Sequence, residues 1–286
     1  MADGDFQRTN YLRLRDRVQE CIAECACADF DDCVTLLLDL MRNEFPAIAQ
    51  HSNPVGARLD AWTREELGFL IQEYSGFSNA AIHMFLEARI RNHWPSLTTE
   101  IIRNMDEEMG VLCEGIPHLE LMRDGYRMDL ELETDGLHYA AVTEDFIARM
   151  NGLFRIRDNT ALAGALLAFE ATAVDEFHVV DRMLRQYKAL SGGQITPDSL
   201  TGRYIAGHVA PTADGLESDP ELAHYRGMVE AIGKSVDRRA LDSLACGFVS
   251  VCLELNRWWE HVALEAVQNA IRGNLVSRAI RQPTYS

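Results

Sequence analysis

Two adjacent carboxylates, Glu107 and Glu108, precede a histidine, His118, in the segments Asn104-Met105-Asp106-Glu107-Glu108-Met109-Gly110 and Pro117-His118-Leu119-Glu120-Leu121. Carboxylate oxygens and an imidazole nitrogen form the ligand set of non-heme iron or manganese. On an unbroken helix Glu108 and His118 would stand about 80° apart. Gly110, Gly115 and Pro117 interrupt such a helix, so a kink could bring them closer. The plainer alternative is an acidic helix end followed by a histidine that opens the next helix. A carboxylate at a helix C-terminus opposes the dipole, so a compensating cation is expected there.

Glu170 is the strongest single signal. It is the one charge in Ala161-Leu-Ala-Gly-Ala-Leu-Leu-Ala-Phe-Glu-Ala-Thr-Ala-Val. A helix apolar on nearly every side is buried, and a buried carboxylate needs a metal, a cationic partner or a proton. His208 and His224 flank a loop, and Glu221 lies one turn before His224. A carboxylate and a histidine at i, i+3 recur in metal sites of helical bundles. A solvated, acid-rich helix start at Asp219-Pro220-Glu221 would equally explain Glu221. Asp175 and His178 also share a face, but Asp175, Glu176 and Asp181 read as a return to solvent. His83 and Glu87 read as ordinary helix pairing, and His51, His93, His138 and His261 receive no role.

The elements that must position these groups are helices. Apolar residues recur with helical periodicity over Gln7–Cys25, Asp31–Phe45, Thr63–Tyr74, Ser78 to about His93, Ser96–Met109, His118 to about Gly125, Thr143–Asn151 and Asn159–Leu190. Later helices are expected from Thr196-Pro197-Asp198 to His208, over Glu221–Lys234 and over Arg239–Arg272. Thr63-Arg64-Glu65-Glu66 offers an N-cap with an acidic first turn. Ser191-Gly192-Gly193 offers a C-cap. Val209–Pro220 reads as a loop. No convincing alternation marks a strand. The expected fold class is all-α, a compact helical bundle in one domain. Residues 1–281 form it, 1–60 supply N-terminal helices flanking the core, and 282–286 are a tail.

Composition narrows the function classes. The chain has 286 residues, 47% of them hydrophobic, which suffices for a substantial core. Its net charge of −17 argues against nucleic acid, which requires a basic face, and against an anionic membrane surface. It suits a small neutral or cationic substrate. No segment approaches the ~20 apolar residues of a membrane span, and Met1–Arg17 lacks the pattern of a signal peptide. The expected location is the cytoplasm. The seven cysteines include Cys21, Cys25, Cys27 and Cys33, whose spacing fits packed helices with reduced, mostly buried thiols better than a zinc site. No glycine motif in a strand-turn-helix setting points to a bound nucleotide. The amphipathic N-terminal helices are consistent with a homodimer.

Taken together, Asn104-x2-Glu107-Glu108-x-Gly110, His118-x-Glu120-Leu121, Phe169-Glu170, Tyr204-x3-His208 and His224 resemble the heme-oxygenase-like diiron oxidases over roughly residues 77–262. That family shares the helical fold of heme oxygenase and binds two irons in place of heme. The resemblance implies metal ligands Glu108 and His118, with Glu107 as the alternative to Glu108, then Glu170, His208 and His224. The family's third core helix carries His-x3-Asp-x2-His, whereas here Thr212 and Gly215 occupy the Asp and second His positions counted from His208. An insertion that moves the motif's end to Glu221-x2-His224 accounts for this, with Asp214 and Asp219 as competitors for the carboxylate. The implied cofactors are two Fe ions, with O2 as cosubstrate and an external electron donor. Glu108 and Glu170 are the implied catalytic carboxylates. The implied activity is oxygenation of a small amine or amino-acid-type substrate, leaning to N-oxygenation. Oxidative C–C cleavage or desaturation of an amino acid or fatty acid is the alternative, and a metal-free helical binding or scaffold protein is the second. Glu73 and Glu87, ahead of Glu108, are candidates for an additional carboxylate.

Overall fold

The structure, a computed structural model, describes residues 2–111, 115–209 and 219–280, with side chains from 12 to 270 within those segments. Its helices are α1 (Ala2–Cys27), α2 (Phe30–Glu44), α3 (Arg64–Arg91), α4 (Pro95–Glu108), α5 (His118–Asp129), α6 (Ala141–Leu153), α7 (Asn159–Leu190), α8 (Leu200–Ala206), α9 (Pro220–Gly233) and α10 (Leu241–Ile280). Short 3-10 turns at Gly56–Ala61 and Arg238–Ala240 precede α3 and α10. Among the described residues no strand is present. The all-α, single-domain expectation therefore holds.

The apolar run that isolates Glu170 builds the centre of the bundle. From Thr160 to Ala173 every α7 residue except Phe169 is buried. α7 lies along α10, and α3 and α9 also pack against it. Gly164 and Gly247 make the α7–α10 crossing close, since a methyl at either would meet the other helix's backbone at Leu244 or Ala161. α6 bridges α10 and α3, α5 pairs with α8, α4 leans on α9, and α1 and α2 pack on each other and on α10. Asp158 caps α7 by accepting from the backbone N–H groups of Thr160 and Ala161. Ser191 and Gly192 end it, with Gly192 at a φ of 77°.

Three local expectations are corrected. Thr63 does cap α3, in a reciprocal capping box with Glu66, an arrangement worth about 1 kcal/mol. The helix does not stop at Tyr74, however, but continues unbroken to Arg91. Gly76 does not break it; a Cβ there would come within 2.8 Å of the Tyr139 ring, so the missing side chain makes room for that ring. The helix before His208 starts only at Leu200, where the Ser199 hydroxyl accepts from Gly202 N–H, and ends at Ala206, leaving His208 in the following turn. The last helix starts later and runs farther than expected, to Ile280. Cys21, Cys25 and Cys33 are buried free thiols, whereas Cys27 is exposed. No described helix is long and apolar enough to cross a membrane. The tail from Gln282, and Asp214 with Thr212 and Gly215, lie outside the described residues.

Candidate metal centre

Five segments between residues 108 and 224 deliver six side chains to one cavity. The end of α4 supplies Glu108 and the first residue of α5 supplies His118; Glu170 comes from mid-α7, His208 from the turn after α8, and Glu221 and His224 from the first turns of α9. They converge as two groups whose ligand atoms lie within 4.8 Å of one another: Glu108, His118 and His208, and Glu170, Glu221 and His224. All six line a single cavity of about 590 Å³. Five are nearly fully buried, and Glu108 is partly exposed.

Within the first group, Glu108 Oε1 lies 3.4 Å from His118 Nδ1. The His118 and His208 rings meet edge to face at 4.7 Å between centroids. Phe177 stacks flat on His208 at 3.8 Å, and Tyr204 meets its edge at 4.9 Å. His208 Nδ1 is 2.7 Å from Glu221 Oε1, which ties the first group to the second. With that nitrogen engaged, His208 Nε2 is buried and has no hydrogen-bond partner among the described residues.

In the second group, His224 Nδ1 lies 3.7 Å from Glu170 Oε2 and 3.8 Å from Glu221 Oε2. Its Nε2 is hydrogen-bonded to Glu107, which Arg103 in turn holds at 2.7 Å. These two cations answer the expectation of a positive charge at the acidic end of α4. Asn104 Nδ2 donates to Glu170 Oε1 at 2.8 Å. Among the described residues no arginine pairs with Glu170; its partners are Asn104 and His224.

Electrostatics follow from crowding acids in a dry space. Burial pushes Glu170 and Glu221 each up to about 8, although His224 pulls both down. Burial drives His208 down to about 3, against the pull of Glu108. Burial also lowers His224, but its bond to Glu107 and the charges of Glu170 and Glu221 more than offset this and hold it at about 9. The His118 hydrogen bond and the neighbouring histidines outweigh burial at Glu108 and lower it. Near neutral pH Glu170 and Glu221 thus hold protons while Glu108 is ionised, beside a neutral His208 and a charged His224. A divalent cation would displace those protons.

The donor set fits non-heme metal. Oxygen and imidazole ligands without thiolates suit iron or manganese, and two histidines with one carboxylate make a facial set that leaves coordination positions open. The orphaned His208 Nε2 is the clearest sign of such a fit, because a buried polar atom without a partner is rare. Metal-bound histidines usually engage a carboxylate through their other nitrogen, as His208 does with Glu221 and His224 with Glu107.

All six proposed ligands meet, but several neighbours were misjudged or missed. Glu221 is not a solvated helix start: it is 4% exposed, and Asp219 takes the capping role by accepting from Glu221 N–H and Leu222 N–H. Glu107, the alternative to Glu108, is hydrogen-bonded to His224, and it is Glu108 that comes within reach of His118 and His208. Glu176 does not mark a return to solvent; it is 3% exposed and accepts from Trp259 Nε1 at 2.7 Å. Glu73 accepts from Ala140 N–H, and Glu87 pairs with Arg91 and Arg155, so neither joins the site. His83 lies on a separate surface depression with Glu87. Asn104 had a sequence signal, since it stands one helical turn before Glu108.

A family model described as a Domain of Unknown Function with solved structure, DUF3865, matches residues 32–265. Two crystal structures of a CADD-like protein of unknown function from Nostoc punctiforme PCC 73102 superpose on the chain with TM-scores of 0.73 and 0.71. Each is 22% identical; they cover 83% and 84% of this chain and 98% and 96% of that protein. At this identity the likeness shows the fold. No curated protein matches the chain.

Proposed function

The chain belongs to the DUF3865 family, and from that membership and the paired ligand groups we propose a dinuclear non-heme iron oxidoreductase that uses dioxygen to oxygenate a small amine. The single observation that carries this is the convergence of three carboxylates and three histidines, in two groups, on one cavity. The resemblance of the ligand motifs to the heme-oxygenase-like diiron oxidases supports the same reading.

Glu108, His118 and His208 would hold one iron, and Glu170, Glu221 and His224 the other. Two ferrous ions bound there would supply the electrons that activate dioxygen, with an external donor restoring them. The chain's own residues prepare that chemistry. Once ionised, Glu221 would accept from His208 Nδ1–H and so fix the tautomer that leaves Nε2 for metal. Glu107 and Asn104 hold His224 and Glu170 in place. Phe177 and Tyr204 cover the His208 ring and exclude water from one side of the site. The carboxylates can rebalance charge as the metals change oxidation state. An amine fits an acid-rich cavity, whereas an anionic substrate would meet repulsion.

The test is anaerobic loading with ferrous iron, metal analysis, and rapid mixing with oxygenated buffer. About two irons retained per chain and a transient visible absorption on oxygen exposure are expected. A protein that retains no iron after anaerobic loading is a helical binding protein instead.

A further inference from the structure

One buried acid in this cavity lies outside both ligand groups. Glu176 is on α7, six residues after Glu170, so about 9 Å farther along the helix axis. It lines the cavity yet is 3% exposed. Its one hydrogen bond among the described residues comes from Trp259 Nε1. No cationic side chain pairs with it there, and the titratable groups that act on it, Asp175 on α7 and Glu221 on α9, are both acids. Around it the wall is aromatic. Tyr74 of α3 meets Phe77 and Phe177 edge to face at 5.9 and 6.3 Å, and stacks on Trp259 of α10 at 6.0 Å.

A buried carboxylate without a cation, set among ring faces, is the arrangement that recognises an ammonium group, by ion pairing and by cation–π attraction together. The rest of the cavity agrees. Apart from the six ligand candidates, its charged lining is Glu120, Asp124, Asp135 and Arg123, and Arg123 is already paired with Asp135. We propose that Glu176 anchors the ammonium end of an aromatic or alkyl amine whose reacting end points toward the two ligand groups. Glu176 is thus a positioning residue and sets specificity for a cation. The anchored nitrogen is not the oxygenated atom, so an N-oxygenated substrate would carry a second nitrogen. Naming this substrate rests on the metal-oxygenase reading above; the binding of a cation at Glu176 does not.

The test is anaerobic titration calorimetry at pH 7 on the iron-loaded and the metal-free protein. The probes are 2-phenylethylamine, its uncharged analogue 2-phenylethanol and its anionic analogue 3-phenylpropionate. The amine is expected to bind at least about tenfold more tightly than the alcohol, with the acid weakest. Glu176→Gln keeps an acceptor for Trp259 but cannot ionise; it should weaken the amine by about tenfold or more and leave the alcohol within about twofold. Burial holds the Glu176 carboxyl up at about 8, so amine binding should release a proton, read from buffers of different ionisation enthalpy, and Glu176→Gln should abolish that release. Trp259→Phe removes the indole bond and should retain the preference for the amine. Equal affinity for amine and alcohol in the wild type, or an amine affinity unchanged in Glu176→Gln, overturns the proposal. Amine binding without iron retention would sink the oxygenase and spare the anchor; iron retention without amine preference would do the reverse.

Discussion

The two ligand groups share a cavity but are built differently. Glu108, His118 and His208 bring two imidazoles and one carboxylate from α4, α5 and the turn after α8. Glu170, Glu221 and His224 bring two carboxylates and one imidazole from α7 and α9. The first is braced by rings, Phe177 and Tyr204 against His208. The second is braced by hydrogen bonds, from Asn104 to Glu170 and between Glu107 and His224. Ring packing adds a support to the first group that does not depend on protonation, while bonds between titratable groups do depend on pH. Glu170 of the second group also sits on the central helix, where burial, with Glu221 and Glu108 adding to it, holds its carboxyl up at about 8.

The sharpest way to break this comparison is His208→Ala. It removes a first-group ligand and frees Glu221, so both groups should fail and retained iron should fall below about one per chain by metal analysis. Glu170→Ala acts on the second group alone and should leave about one iron in the first. Two irons retained in that variant would remove Glu170 from the site. Glu107→Gln should leave all six ligands in place but loosen His224, weakening the second metal by about ten- to a hundredfold in competition with a chelator.

Proton linkage separates the groups more gently. Glu170, Glu176 and Glu221 are held up at about 8 in the fold, above an ordinary carboxylate. The native metal-free chain therefore binds more protons than the unfolded chain between the ordinary carboxylate range and about pH 8, and its stability should fall as pH rises through that window. His224, held at about 9, adds stability that is complete below the ordinary histidine range and is lost as pH rises through 9. Thermal melts from pH 5 to 9 should show this decline, and iron should reverse it, because metal replaces the protons. Iron affinity should correspondingly rise with pH. A flat melting profile would mean the acids are not protonated in the fold. Thr63→Ala is the small control: losing the α3 cap should cost about 1 kcal/mol in denaturant melts and leave both metals bound.

The local physics of the chain was legible in its sequence. The apolar run around Glu170 dictated a buried helix and a carboxylate in need of a partner, and it required no knowledge of the fold. The cap at Thr63 and the stop at Ser191-Gly192 were equally local. Signals that depend on what lies across the bundle were misread. The helix from Thr63 was expected to finish at Tyr74, whereas it runs on to Arg91, with Gly76 leaving room for the ring of Tyr139, 63 residues away. Glu176 resembled a solvent-facing acid because Asp175 and Asp181 flank it, whereas Trp259 of α10 encloses it.

The sequence by itself determined that this chain folds as helices and that one buried acid must be neutralised. It also supplied the six candidate ligands, since residue type and helical spacing are properties of single segments. Only the tertiary structure decided how they divide: which three come within reach of one another, that Glu221 links the two sets, and that Glu107 and Asn104 hydrogen-bond His224 and Glu170. Those assignments depend on contacts between helices, and hydrogen bonds and desolvation act over a few ångströms between groups that the chain separates by scores of residues.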